Sequence, residues 1–365
     1  MHVNFILYIC INIFDSMHPK LRLIDIAKKA NVSMGTVDRV VNNRGKVAKK
    51  TEKIILEIMN EFDYQPNLMA SSLSSKKKTK FAVLVPKPQG EDYWYKILSG
   101  VETSEKAVME FGVEISKFLY DQDDDIQFTE LATQILARQF DGVLLAPIFY
   151  REALEFVQIL EKENIPFVFI DSLIEDTHPL CSISQDNFQS GLLAAKLLDY
   201  GLNDGDEILS ISHLTQNDNF DIKLERSNGF KSFFESKTKD RRTIHSVEII
   251  SSKFEKLAAI LDEKFIQLPN IKGIFIDNSK AHWVARYLQE NNISSVNLVG
   301  FDFIDQNIKF LKEGLIDFIL FDYVENQGKI GLQTLFDHII KKQKPVPIIN
   351  MPVHIVAKEN LEGFL

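Results

Sequence analysis

The chain has 365 residues, of which 45% are hydrophobic and 25% are charged, and its formal net charge is −9. Such proportions are typical of a soluble globular protein, and the length predicts two or three domains with a sizeable core. The two cysteines, Cys10 and Cys181, lie far apart and in no CxxC pattern. They therefore give no support to a disulfide framework or a thiolate zinc site, and they favour isolated thiols in a reducing cytoplasm.

The chain begins with an apolar run from Phe5 to Phe14 that could be mistaken for an export signal. The run has no cationic segment before it and no small-residue cleavage site after it, and it is too short to span a bilayer. We therefore expect Met17 to be the biological start and residues 1–16 to be a non-native, translated leader.

The charge is unevenly distributed along the rest of the chain. Residues 17–80 contain 14 Lys and Arg against 6 Asp and Glu, whereas residues 81–365 contain 28 against 44. A small basic module joined to a large acidic body indicates that only the first part contacts a polyanion.

Three short helices are predicted in residues 17–64. Apolar residues recur there at helical spacing in three groups. The groups are Ile26, Ala27 and Ala30; Val37, Val40 and Val41; and Ile54, Ile55, Ile58, Met59 and Phe62. Asn31 supplies a turn after the first group, and Ser33 is a good N-cap for the second helix. Two short helices with a third behind them predict a helix-turn-helix bundle.

Residues 65–80 are predicted to be a hinge helix and linker. Pro66 prevents the third helix from continuing, residues 67–73 can form one or two helical turns, and small residues and lysines follow. So short a helix is marginal in water, so we expect it to form only against a partner.

From Phe81 onward, short apolar strands alternate with amphipathic helices. The strand candidates are FAVLVP, GVEISKFL, GVLLAP, PFVFID, CSISQD, EILSIS, HSVEII, GIFID, NLVGFD and IDFILFD. Helices are predicted at Tyr95–Phe111, Phe128–Gln139, Arg151–Asn164, Phe188–Tyr200, Lys253–Phe265, Ala281–Glu290 and Gln327–Lys342. This alternation predicts an α/β domain over residues 81–365, with two doubly wound parallel-sheet lobes and a ligand cleft at the carboxyl ends of their strands.

The basic module resembles the headpiece and hinge of the lactose-repressor (LacI/GalR) family of bacterial transcription regulators. The match is contiguous and includes DIAKKANVS, TVDRVVN, KTEKI and YQPNLMASSL. The remainder resembles, more broadly, the effector-binding and dimerisation domain of that family, which shares the periplasmic binding protein fold. The resemblance implies a sequence-specific DNA-binding regulator, a repressor that binds a palindromic operator as a homodimer under allosteric control by a small sugar-like effector.

By this resemblance, the second helix enters the major groove of DNA. Met34, Gly35 and Arg39 match the base-reading positions, and Arg39 is the strongest candidate because a guanidinium can bond guanine O6 and N7 together. Gly35 departs from the family pattern because it offers no side chain. The positions that match phosphate contacts are Ser33, Thr36 and Asn42.

The hinge matches the family motif in which paired helices lie in the minor groove. The matching residues are Asn67, Met69, Ala70 and Leu73. Leu73 takes the position of the leucine that wedges between base pairs, at a cost that added contacts on the bent duplex offset.

Candidate effector-binding residues follow from the same resemblance. Arg226 in ERSNGF matches an R-x-x-G-F pattern and is the best single candidate. The others are Asp186 and Asn187 in SQDN, Asn278 in FIDN, Asp302 in VGFD, and Tyr93 and Trp94 in EDYWY as stacking faces. Asn278 is a departure, because many family members carry an acidic residue there.

Two other classes of function remain as alternatives. An exported solute-binding protein would need a signal peptide and no headpiece. An enzyme on a doubly wound fold would need catalytic motifs, and we find no Gly-rich phosphate loop, no G-x-S-x-G and no H-E-x-x-H. The eight histidines are scattered, so we expect no metal and no cofactor. The sequence leaves open the operator, the effector, whether the effector induces or corepresses, and whether the protein also activates.

Overall fold

The computed structural model describes residues 22–41, 45, 47–62, 64, 78–90, 93–214, 220–237, 242–250 and 253–365. The chain divides into two compact units, Met1–Ser75 and Lys76–Leu365. The predicted leader at residues 1–16, the phosphate-contact candidate Asn42 and the hinge candidates Asn67, Met69, Ala70 and Leu73 lie outside the described residues.

Within the first unit, the described residues form the three predicted helices. They are α1 (Leu23–Lys29), α2 (Met34–Val41) and α3 (Lys49–Glu61). Their core contains the buried side chains of Ile26, Ala27, Val37 and Ile55, each taken from one of the three predicted apolar groups. Ile54 and Phe62 were predicted with the third group, yet 38% and 40% of their surface is exposed.

The second unit contains two parallel sheets of six strands each. The strands are β1 (Thr79–Pro86), β2 (Val113–Tyr120), β3 (Gly142–Leu145), β4 (Phe167–Ile170), β5 (Cys181–Ser184), β6 (Glu207–Leu214), β7 (Thr243–Ile250), β8 (Ile271–Ile276), β9 (Asn297–Phe301), β10 (Phe318–Phe321), β11 (Ile348–Asn350) and β12 (His354–Val356). Lobe 1 has the order β11-β5-β4-β3-β1-β2, and lobe 2 has the order β12-β10-β9-β8-β6-β7. Among the described strands, only β12 pairs in antiparallel fashion, with β10.

Nine α-helices are described in this unit. They are α4 (Tyr93–Met109), α5 (Asp125–Arg138), α6 (Tyr150–Lys162), α7 (Asn187–Asp199), α8 (Phe220–Glu235), α9 (Phe254–Gln267), α10 (Ala281–Glu290), α11 (Asp305–Glu313) and α12 (Val324–Ile339), and a 3₁₀ helix follows at Lys358–Gly363. None of the described helices has both the length and the apolar character needed to cross a membrane.

Helices cover both faces of each sheet, as the continuous apolar strands predict. In lobe 1, α4 and α12 pack on one face and α5 and α6 on the other. In lobe 2, α7 and α8 cover one face, while α9, α10 and α11 cover the other. The predicted architecture of two doubly wound lobes is confirmed.

The chain passes between the lobes three times. It leaves lobe 1 after β5 and enters α7 of lobe 2, and it returns after β10 into α12 of lobe 1. The third passage runs from β11 to β12. All three follow a strand carboxyl end, so they border the edge where a ligand cleft is expected.

Glycines allow one helix pair in each lobe to pack very closely. In lobe 1, a Cβ atom at Gly100 of α4 would overlap the Glu325 carbonyl of α12, and one at Gly328 would overlap the Ile97 carbonyl. In lobe 2, Gly191 of α7 and Gly229 of α8 meet the Arg226 and Phe188 carbonyls in the same reciprocal way. These contacts fix where α4 and α8 carry their cleft-facing residues.

Candidate functional site

The turn between α1 and α2 sets the start of the DNA-reading candidate helix. Asn31 adopts a left-handed conformation with φ of 52°, which Asn tolerates better than most residues. The Ser33 hydroxyl accepts the Thr36 backbone N–H at 3.2 Å and lies 2.9 Å from the Thr36 hydroxyl. The predicted N-cap is confirmed, and it ties the Ser33 and Thr36 hydroxyls together.

The outer face of α2 carries the predicted base readers. Val37 is buried, whereas Met34 is 55% exposed and Gly35 and Arg39 are exposed. A Cβ atom at Gly35 would meet only Ser33 Oγ, at 3.8 Å. Gly35 presents no side chain, and the Arg39 Cδ atom lies 3.7 Å from the place where a Cβ atom at Gly45 would be. One cation therefore dominates the exposed face of this short helix.

The carboxyl ends of the strands in the second unit carry a repeated acidic residue. Asp171, Asp277, Asp302 and Asp322 directly follow β4, β8, β9 and β10. Asp277 and Asp322 are buried, and Asp302 is half-buried. Because the ends of neighbouring parallel strands share one edge, these residues border the cleft from both lobes.

A chain of hydrogen bonds runs across the cleft floor. The Tyr93 hydroxyl donates to Asp171 Oδ1 at 2.6 Å, and the Asp171 backbone N–H donates to Gln327 Oε1 at 2.8 Å. Gln327 and Gln185 then both donate to the carboxylate of Asp322. Burial raises the pKa of Asp322, while the bonds from Gln327 and Gln185 lower it. Burial, reinforced by the charge of Asp171, raises the pKa of Tyr93 well above 10, so the phenol stays a donor.

Arg226 lies at the centre of the lobe 2 side. Its Nη2 donates to Asn187 Oδ1 at 2.8 Å and to Gln185 Oε1 at 3.4 Å, and its Nη1 donates to the Asp277 carbonyl. The guanidinium carbon lies 3.8 Å from the centroid of the Phe301 ring. Arg226 thus joins the β5, β8 and β9 ends, as expected for the best effector-site candidate.

Asp302 differs from its neighbours because no other described residue hydrogen-bonds its carboxylate. Its backbone is held firmly, with φ of 71°, and its carbonyl accepts the side-chain amide of the fully buried Asn307 at 3.0 Å. Burial raises the pKa of Asp302 to about 7; Asp322 and Asp171 add to this effect, and Arg226 and Lys96 oppose it.

A direct contact links the lobes beside Asp302. The Lys96 ammonium of α4 donates to the Phe303 carbonyl at 2.5 Å and lies 5.4 Å from the centre of the Phe303 ring. Lys96 belongs to lobe 1 and Phe303 to lobe 2, so this bond and the bond between Gln185 and Asp322 hold the two cleft walls together.

The remaining predicted residues take more structural positions. Asp186 caps α7 by accepting the Gln189 backbone N–H at 2.9 Å, and Asn278 accepts the Lys280 backbone N–H at 3.0 Å. Trp94 is 6% exposed and packs in the lobe 1 core. The structure therefore offers a ligand little of the Trp94 ring, whereas Tyr93 lies on the cleft-floor chain.

Sequence reasoning missed several residues of the cleft: Lys96, Asp171, Gln185, Asp277, Asp322 and Gln327. A signal for three of them was present, because the endings FID at Asp171 and Asp277 and LFD at Asp322 repeat the ending GFD at Asp302. Because the carboxyl ends of parallel strands lie at the same edge of a sheet, four apolar strands that each end in Asp predict a group of aspartates at that edge. Gln327 and Lys96 lie within helices, and no motif in the sequence distinguishes them from other polar residues of those helices.

Two family profiles cover most of the chain. Residues 81–343 match the periplasmic binding protein domain, and residues 22–67 match the lacI family of bacterial regulatory proteins. The two-lobed unit is therefore a periplasmic binding protein domain. With its headpiece, the chain belongs to the lacI family of bacterial regulatory proteins, and it is a DNA-binding transcriptional regulator.

Individual relatives agree with this assignment. The ribose operon repressor of Halalkalibacterium halodurans is 25% identical over 351 residues, which cover 93% of this chain and 96% of that protein. The sucrose operon repressor of Lactococcus lactis subsp. lactis is 27% identical over 313 residues, covering 82% of this chain and 92% of that protein.

Solved structures show the same two-lobed fold. A Bacteroides fragilis protein assigned to the LacI transcriptional regulators is 28% identical, with a TM-score of 0.72, and the match covers 79% of this chain and 99% of that one. GanP, a glucose-galactose binding protein from Geobacillus stearothermophilus, is 19% identical, with a TM-score of 0.69 and coverage of 78% and 99%. The second likeness concerns the fold alone.

Proposed function

We propose that the protein represses transcription by binding a palindromic operator as a homodimer, and that a small sugar or sugar derivative in the lobe cleft controls this binding. Residues 17–64 form the DNA-binding domain, residues 65–80 the hinge helix and linker, and residues 81–365 the effector-binding and dimerisation domain.

The observation that carries the DNA-reading role is the exposed face of α2. Arg39 and Met34 are exposed on it and Gly35 presents no side chain, while Val37 is buried in the core. An exposed guanidinium that enters the major groove can bond guanine O6 and N7, and this pairing discriminates between bases. Ser33 and Thr36 lie at the N-terminus of the same helix and contact phosphates there.

The dimer follows from the form of operator recognition. Two headpieces that read two half-sites need a two-fold axis, and the hinge residues Asn67, Met69, Ala70 and Leu73 act as a pair in the minor groove. Leu73 serves as the wedge between base pairs.

The cleft supports effector control because its polar residues come from both lobes. Tyr93 and Lys96 come from lobe 1, and Arg226, Asn187 and Asp302 come from lobe 2. Three further residues stay candidates for ligand contact: Asn278, Asp186 and Trp94. A ligand that binds the closed lobes better than the open ones shifts the balance between the two states. That shift changes operator affinity by the same coupling free energy.

The protein acts in the cytoplasm on nucleoid DNA and has no catalytic role. Its likeness to the ribose and sucrose operon repressors supports a regulatory role.

Selection of operator fragments from host genomic DNA, followed by fluorescence anisotropy, tests the DNA role. We expect the full-length protein to prefer a palindromic fragment to bulk DNA. Arg39→Ala is expected to weaken operator binding by about 1–3 kcal/mol and to relax one base position. Arg151→Ala, in the exposed part of α6, is the matched control and should bind normally. Equal loss on operator and random DNA with Arg39→Ala contradicts the base-reading role.

A further inference from the structure

We propose that a groove between α5 and α6 of lobe 1 is a docking site for a partner protein that presents a cationic amphipathic helix. The two helices contact each other on the same face of the lobe 1 sheet, and the groove that runs between them has a volume of about 630 Å³. This role is separate from the DNA-binding and effector roles proposed above and does not depend on them.

The floor of the groove is apolar. Ile126, Thr129 and Thr133 of α5 line it, at a spacing that places them on one side of that helix. The Thr129 hydroxyl donates to the Asp125 carbonyl at 3.0 Å, and the Thr133 hydroxyl donates to the Thr129 carbonyl at 2.9 Å. Because both hydroxyls are bound to the helix backbone, the threonines offer the groove their methyl groups. With Ile126, which is 69% exposed, they form an exposed apolar strip about 10 Å long.

The rims of the groove are acidic. Asp125 and Glu130 line the α5 side, and Glu152 and Glu155 line the α6 side. Arg151 is the single cation among the lining residues, and it forms an exposed ion pair with Glu155 at 3.6 Å. No described residue forms a hydrogen bond or an ion pair with the carboxylates of Asp125, Glu130 and Glu152. The groove therefore carries a surplus of negative charge on both sides of its apolar floor.

Part of this acidity has a local role in the two helices. Asp125 and Glu152 lie in the first turns of α5 and α6, where a negative charge interacts favourably with the helix dipole. Glu130 and Glu155 lie in the second turns, where that stabilisation has largely faded. Helix stability therefore does not account for an acidic residue on each rim beyond the first turn.

A cationic amphipathic helix matches this arrangement of charge and apolar surface. Its apolar stripe covers the floor, while Lys or Arg side chains on both sides of the stripe reach the two rims. An extended segment is a poorer match, because its successive side chains point to opposite sides and only one row of them faces the groove.

The charge of the rims argues against other occupants. Nucleic acids and anionic lipid surfaces carry the same sign of charge as the rims and are repelled. A second copy of this chain that used the same face would bring two sets of acidic rims together, which costs free energy. A partner protein with a cationic helix is the occupant that removes this repulsion.

Site-specific photo-crosslinking in cells of the native host tests the surface. In the full-length protein, the photoreactive residue p-benzoylphenylalanine replaces Gln134 of α5 or Arg151 of α6, one on each side of the groove. The control position is Val346, which is 63% exposed and lies among lysines just before β11. We expect both groove positions, and not the control, to capture the same protein through a helix that carries Lys or Arg on both sides of an apolar stripe.

A charge exchange then tests whether the rims recognise that helix. The captured segment is synthesised as a peptide, and its affinity for the full-length protein is measured by fluorescence anisotropy. The groove variant, Glu130→Lys with Glu155→Lys, should bind the peptide at least about tenfold more weakly. The control variant, Glu263→Lys with Glu290→Lys, changes exposed glutamates of α9 and α10 and should bind it normally. A peptide in which the facing cations are changed to Glu should regain affinity for the groove variant.

The outcomes decide the proposal. Melting curves check that both variants are folded, which is expected because all four glutamates are exposed. Loss of affinity in the groove variant and its recovery with the exchanged peptide support docking. Capture of no protein, of a second copy of this chain or of a segment without cations overturns the proposal. Equal affinity of the two variants, or a loss that the exchanged peptide does not reverse, overturns it as well. Operator selection tests the DNA role independently.

Discussion

Lobe 1 and lobe 2 end equivalent strands in the same way. The Asp171 backbone N–H after β4 donates to the Ile183 carbonyl of β5 at 3.0 Å, and the Asp302 backbone N–H after β9 donates to the Leu320 carbonyl of β10 at 2.9 Å. The φ angles of the two aspartates are 70° and 71°. Each lobe also carries one helix pair joined through reciprocal glycine contacts. The backbone frame is thus repeated.

The side chains around the two aspartates are not repeated. Asp171 is bound by the Tyr93 hydroxyl and supported by the buried amide of Gln327. Asp302 is held through its backbone, by Leu320 and Asn307, and no other described residue hydrogen-bonds its carboxylate. The same backbone arrangement therefore holds one carboxylate that Tyr93 binds and one that no other described residue binds, and the second is the one that we propose as a ligand contact.

The largest expected effect tests the close packing of a helix pair, a feature that both lobes share. Gly100→Ala would push a Cβ atom into the Glu325 carbonyl of α12, and the close packing of backbone against backbone leaves no flexible atom to move. We expect a loss of about 3 kcal/mol in the free energy of unfolding, measured by urea denaturation. Gly363→Ala is the control, because a Cβ atom there meets nothing within 4 Å. Equal stability of the two variants would show that the helix pair can separate.

The second expected effect tests the role of Asn307, which supports the backbone of Asp302. Asn307 is fully buried, and its amide donates to the carbonyls of Ser279, Phe301 and Asp302. Asn307→Leu removes these three bonds, although the Ile304 backbone N–H still donates to the Asp302 carbonyl at 3.0 Å, and should cost about 2–3 kcal/mol of unfolding free energy. Gln327→Leu, the matched change in lobe 1, loses fewer bonds and should cost less. The reverse order of the two costs would contradict the assigned supports.

A third expected effect is a pH dependence of stability that comes from Asp302. The pKa of Asp302 in the folded protein is raised to about 7, above that of an unfolded Asp, so the folded state holds a proton that the unfolded state loses. This carboxyl therefore destabilises the fold increasingly as the pH rises from about 4 to about 7, and the full cost remains above 7. Asp302→Asn should raise stability at pH 8 by about 1–2 kcal/mol and change it little at pH 4.

The control for the pH effect is Asp305→Asn, which changes an exposed carboxyl a few residues further along the chain. Its effect on the melting temperature should not grow between pH 4 and pH 8. A stabilisation by Asp302→Asn that is the same at both pH values would exclude titration of Asp302 as its cause.

The smallest expected effect comes from removing the hydrogen bond that Tyr93 donates to the Asp171 carboxylate. Tyr93→Phe removes the hydroxyl that donates to Asp171 and keeps the ring in place. We expect a loss of about 1 kcal/mol in unfolding free energy, measured by urea denaturation at pH 7. Tyr150→Phe, on the partly exposed α6, should change stability by much less. No loss with Tyr93→Phe would mean that water replaces the phenol.

The sequence predicts ten of the twelve strands, and the structure adds their order and the two short strands at the edges of the sheets. Ten apolar runs correspond to β1 through β10, because each is long enough to show its apolar character. The three-residue strands β11 and β12 escape prediction: Ile348 is 61% exposed, and both strands depend on pairing with β5 and β10, which are far away in the chain. Tertiary pairing, rather than local propensity, creates such short edge strands.

In the cleft, the sequence identifies residues that belong to a recognised motif more readily than residues whose role depends on partners far away in the chain. Arg226 lies where the R-x-x-G-F pattern placed it, with partners from three strand ends. Trp94 stays a candidate for stacking on a ligand; its spacing with Ile97, Leu98 and Val101 is that of the apolar face of a helix, and all four are buried. Gln327 was missed because its role depends on Asp171, 156 positions away.

The order in which the strands join each sheet also bears on biosynthesis. Lobe 1 begins at β1 but is completed only by α12 and β11, so its last strand emerges from the ribosome after all of β6 through β10. At a synthesis rate of roughly 5–20 residues per second, the nascent first lobe waits on the order of ten seconds or more with the β5 edge uncovered. An exposed parallel edge invites pairing with other chains. We therefore expect early termination before Ile348 to yield aggregates rather than a folded half, and nascent chains of this protein to be clients of ribosome-associated chaperones.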